Sequence, residues 1–66
     1  MINKYITALK LQYIAEIAII EANLSTYFEN SVGVAEHPNI SKDIDDLVGS
    51  LATAQEKLNT IEGIEL

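Results

Sequence analysis

The chain has no cysteine, no tryptophan and no arginine, and only one histidine and one proline in 66 residues. Without cysteine there is no disulfide, and a single histidine leaves too few ligands for a structural zinc site within one chain. Cations are scarce too: four lysines against ten acidic residues set the formal net charge at -6. Binding a phosphate backbone or an anionic membrane surface requires cationic side chains that displace counterions, so neither nucleic acid nor membrane is an expected partner. Long hydrophobic runs are also missing. The most apolar stretch, Ile14 to Ala22, is cut by Glu16 and Glu21 and falls well short of the ~20 residues that span a bilayer. It also lies too far into the chain, and lacks the basic leader and cleavage site, for a secretory signal. A cytoplasmic location is the default expectation.

What is present is a folding composition, with 48% of residues hydrophobic, which argues against intrinsic disorder. A single domain spanning 1–66 is nevertheless close to the lower limit for independent folding. Apolar burial at ~25 cal/mol per Å² and an ordering cost of ~1.5 kcal/mol per residue nearly cancel at this length. With disulfides and a zinc site set aside, oligomerisation is the common remedy that remains.

The first segment has no glycine or proline and repeats large apolar residues at helical spacing. Ile6, Leu9, Tyr13, Ile17, Ile20, Leu24 and Phe28 form one stripe, flanked by Ile2, Tyr5 and Tyr27, which predicts a helix over about 2–29. Tyr5, Tyr13, Tyr27 and Phe28 are read as core or interface anchors on that stripe. Its eleven-residue repeat suggests a nearly straight or slightly right-handed course. Across the helix, Leu11, Ile14, Ala15, Ala18 and Ala22 gather on a second, alanine-rich apolar face, which has no reason to face water. This face is the candidate dimer interface.

The pattern breaks over 30–37, where Asn30 and Gly33 suit a helix stop and a turn. Pro38 fits the first position of a second helix, over about 38–62. His37 is its candidate cap, with Asn39 and Ser41 as alternatives. In that helix Ile40, Ile44, Leu47, Leu51, Ala54, Leu58 and Ile61 make an unbroken heptad seam, slightly widened by Val48. Gly49, in mid-helix, costs roughly 1 kcal/mol relative to alanine and marks a candidate close contact. Gly63 is the expected terminator.

Chemistry is sparse. Glu36 and His37 are the single pair suggestive of acid/base or metal work, and a helix cap or loop-packing role accounts for His37 more simply. The acidic trio Asp43, Asp45 and Asp46 lacks the glycine and distal glutamate of a calcium loop and suits the positive end of a helix dipole. Glu16, at the edge of the stripe, is expected to snorkel or to pair with a lysine of a neighbouring helix. No catalytic, cofactor-binding or metal residue is assigned, and no enzyme activity is expected.

The loop Val32-Gly33-Val34-Ala35-Glu36-His37-Pro38, together with Asp43-Ile44-Asp45-Asp46-Leu47 and Ala52 to Leu58, resembles a group of very short proteins encoded by tailed phages and found in marine environmental sequence. The likeness covers roughly the second half of the chain. It implies a viral origin, in the cytoplasm of a bacterium or phage-infected host, and no catalytic residue. The expected fold is an all-α antiparallel helical hairpin that assembles as a homodimeric four-helix bundle. The expected role is that of a small structural or protein-interaction module, whose partners are itself and another protein. The alternative is an acidic, nucleic-acid-mimicking decoy for a DNA-binding protein, motivated by the carboxylates on the outer face of the second helix.

Overall fold

The computed structural model describes residues 2–29 and 39–64, which hold two α-helices and no strand. Helix α1 runs Ile2–Glu29 and helix α2 runs Ile40–Glu62. The two pack against each other, so the chain is an all-α helical pair. Their contacts run in opposite order. The Tyr27 hydroxyl donates to Asp43 Oδ2 at 3.2 Å, and Lys57 Nζ lies 5.8 Å from the centre of the Tyr13 ring. Two heptads back along α1 thus correspond to two heptads forward along α2, which is an antiparallel pair in matched register. Gly33, His37 and Pro38 lie outside the described residues.

The seam expected for α2 is the face that packs. Ile40, Ile44, Leu47, Leu51 and Leu58 are half-buried, and Ala54 and Ile61 are buried. On α1 the withdrawn positions are Ile6, Lys10, Tyr13, Ile17, Ile20, Leu24 and Tyr27, with Leu9 and Glu16 half-buried alongside. Their steps of four and three match those of α2, so both helices bury a seven-residue repeat and α1 does not follow the eleven-residue one.

This corrects the aromatic assignments. Phe28 is 69% exposed and Tyr5 is 75% exposed, so neither belongs to the core stripe. The heptad places Tyr27 where the longer repeat would place Phe28, and Lys10 fills a seam position with the apolar stem of its side chain. Val48 is exposed as well and does not widen the seam of α2. Glu16 pairs along its own helix, accepting from Gln12 Nε2 at 3.1 Å, and not with a lysine across the groove.

The ends of α2 also differ in detail from expectation. The helix opens at Ile40 with Asn39 as its cap residue. The Asn39 side chain makes no capping bond, although its carbonyl accepts from the Asp43 N–H at 3.1 Å. Asp43 lies in the first turn, where its charge complements the dipole. Gly63 terminates the helix as expected, but in right-handed conformation (φ -83°), with its N–H shared between the Asn59 and Thr60 carbonyls.

The resulting core is thin. Ala54 is 3% exposed, Leu24 and Ile61 are each 9% exposed, and no described side chain falls below 2%. The molecule measures 49 × 14 × 12 Å with a radius of gyration of 15.3 Å, against about 11 Å for a compact chain of this length. It exposes 5071 Å², about 900 Å² more than a compact monomer of this mass would.

The contact between Tyr27 and Asp43 has a titratable consequence. Partial withdrawal from water, and then the Asp43 carboxylate beside it, push the Tyr27 hydroxyl above its ordinary range. A phenol raised in the folded state contributes stability that is fully present below its unfolded pKa and is lost as pH rises through the folded one. An ultraviolet difference titration between the parent and Tyr27→Phe isolates this group. Its midpoint should exceed the free-tyrosine value of about 10 and move partway down in Asp43→Asn. A midpoint at the free value in the parent would contradict the contact.

Candidate interaction surface

The face of α1 opposite the packed seam is uncovered. Leu11 is 63% exposed and Ile14 51% exposed, and Ala15, Ala18 and Ala22 are exposed with them. All five candidate interface residues therefore occupy one face of α1, turned away from α2. Ala8 and Ser25, also exposed, extend the row at the same spacing. The series Ala8, Leu11, Ala15, Ala18, Ala22 and Ser25 advances by three, four, three, four and three, which is a second heptad seam on the helix that already carries one. Its small side chains permit close approach of another backbone, and Leu11 and Ile14 supply the apolar area.

A different surface lies along one side of the helix pair. Glu16, Ile19 and Ile20 of α1 face Asp46, Gly49 and Lys57 of α2 across an open groove of about 920 Å³. Ile19 is exposed there, a feature missed from sequence because it falls on neither apolar stripe. Gly49 lines the groove, and a Cβ built on it meets nothing within 4 Å. No close contact among the described residues therefore requires glycine at this position.

Electrostatically the described surface is ordinary. Lys42 and Asp46 form an ion pair of 2.9 Å between two well-exposed side chains, a geometry that contributes little to stability. The hydrogen bond to Asp46 holds the Lys42 ammonium above its ordinary pKa. Among the described residues no three histidine, cysteine or acidic side chains converge to hold a metal ion. No buried side-chain nitrogen or oxygen among them is left without a partner. No described helix is long and apolar enough to cross a membrane. What the arrangement offers chemically is apolar surface on a rigid helix.

Comparison of the chain with protein-family models, with curated proteins and with solved structures finds no match.

The open space at Gly49 yields a direct expectation. Gly49→Ala should stabilise the helix pair by about 1 kcal/mol through helix propensity alone, read as a higher midpoint in thermal denaturation. A lower midpoint would mean that another backbone occupies the groove in solution.

Proposed function

We propose that the protein is a non-enzymatic interaction module whose first partner is a second copy of itself, joined through the outer face of α1 into a four-helix assembly. The observation that carries this reading is the exposure of Leu11, Ile14, Ala15, Ala18 and Ala22 together on one face of a helix whose other face is already packed. A contiguous apolar strip of this kind marks an interaction site in a small protein. The excess surface supports it: about 900 Å² beyond the compact expectation is close to the ~800 Å² per partner of a standard interface. The thin core supports it too, because a pair of helices with no fully buried side chain among the described residues gains more from association than a well-packed monomer. Once paired, the module is proposed to dock on another protein as a small phage accessory component.

The decoy reading has less behind it. Asp45, Asp46, Glu56 and Glu62 are exposed on α2, but Lys42 partly neutralises Asp46, and a mimic of a phosphate backbone needs a denser row of charge.

Light scattering and thermal melts of the parent and of Ala18→Glu test the proposal. The parent should be a dimer at micromolar concentration. The variant should be monomeric and less stable, since a carboxylate beside its symmetry mate must be buried against like charge or expelled. A parent that is a stable monomer, or a variant that dimerises as well as the parent, would sink the reading.

A further inference from the structure

The outer seam of α1 carries more information than its apolarity, because its two halves are complementary in size and charge about one midpoint. It extends beyond the apolar residues to Lys4 at one end and Glu29 at the other, both exposed. Counted from the midpoint between Glu16 and Ile17, Ala15 mirrors Ala18, Leu11 mirrors Ala22, Ala8 mirrors Ser25 and Lys4 mirrors Glu29. Resting on the self-association proposed above, we infer that α1 meets the α1 of a second copy antiparallel, in this one register, with the two-fold axis passing beside the bond from Glu16 to Ile17.

Two independent features of the seam favour this arrangement. The first is shape. At each mirrored level a large side chain faces a small one or two small ones face each other: Leu11 lies over the partner's Ala22, and Ala15 over the partner's Ala18. Along this row no level brings two bulky side chains together, and Ile14 and Ile19, which are level with each other, flank the row on opposite sides, so the backbones can approach closely. The second is charge. Lys4 of each copy lies level with Glu29 of the other, which closes both ends of the interface with opposite charges. A parallel pair would set Lys4 against Lys4 and Glu29 against Glu29. Slipping the antiparallel pair by one heptad sets Lys4 against alanine in one direction and Glu29 against Leu11 in the other.

The register also determines the form of the assembly. The seam buried by α2 and the outer seam lie about half a turn apart on α1. The four helices therefore lie in a row, with the two α1 helices central and each α2 outermost, and do not close into a square bundle.

Because the parent has no cysteine, the register is testable by cross-linking. Ala8→Cys and Ser25→Cys are prepared separately and oxidised alone and as an equimolar mixture. In the proposed register the two positions are level across the interface, whereas two copies of either variant hold their thiols about 26 Å apart along the axis, beyond disulfide reach. The mixture should form the mixed disulfide, and each variant alone should form essentially none. A disulfide within each variant alone would establish a parallel pair. A dimer by sedimentation that gives no disulfide in any arm would place the interface on another face. Either result overturns the register and leaves self-association standing, whereas a monomeric parent overturns both. Charge exchange gives a second reading. Lys4→Glu and Glu29→Lys should each weaken dimerisation by about three- to tenfold at low salt, and the double variant should return to near the parent value. Inside one chain the two side chains stand about 37 Å apart, so recovery in the double variant cannot arise within a monomer. Absence of any effect in the single variants would count against the register.

Discussion

The structure depends on one mismatch: α1 carries two apolar seams about half a turn apart, and the described residues supply one helix to cover them. Helix α2 satisfies its own single seam by packing against Ile6 to Tyr27, and nothing in the described chain covers Leu11, Ile14 and the alanines behind them. Each residue of a two-helix layer has a neighbour on one side only, so even the best-placed core positions keep some contact with water. The excess surface, the elongated form and the absence of a fully buried side chain among the described residues are three expressions of that constraint.

Polar interactions do little to offset it. The hydrogen bond from Tyr27 to Asp43 and the ion pair of Lys42 with Asp46 lie near the start of α2, and the lysine of the latter reaches only one turn along its own helix. The first fixes the register of the helix pair, being a bond across it; the second lies within one helix and adds little, because exposed charges gain little from pairing. Apolar contact has to supply the rest, and the outer face of α1 holds an uncovered reserve of it.

Much of this was legible in the sequence, to an extent that differed between the helices. Helix α2 has one apolar face among polar residues, so its heptad from Ile40 to Ile61 stood out and every seam position proved withdrawn from water. In α1 the two apolar faces blur each other's periodicity. The boundaries survived, but an eleven-residue path through Leu9 and Phe28 looked as regular as the true one through Lys10 and Tyr27, and the lysine disguised its seam position. Pairing across the helices resolves the ambiguity, because only a seven-residue repeat stays in step with α2 over its full length. Pro38 suggested a helix start two residues before the Ile40 that opens it, and capping preferences alone do not separate His37, Asn39 and Ser41. The grouping of Leu11, Ile14, Ala15, Ala18 and Ala22 was readable from helical geometry. The groove at Ile19 was not, because it exists only where two helices lie side by side.

The central claim is that the helix pair depends on a second copy, and thermal denaturation followed by circular dichroism over a hundredfold range of protein concentration tests it most directly. If folding and association are linked, the midpoint rises steadily with concentration, because mass action favours the species that binds its partner. A sharp transition whose midpoint is independent of concentration, in a protein that sediments as a monomer throughout, would contradict the account.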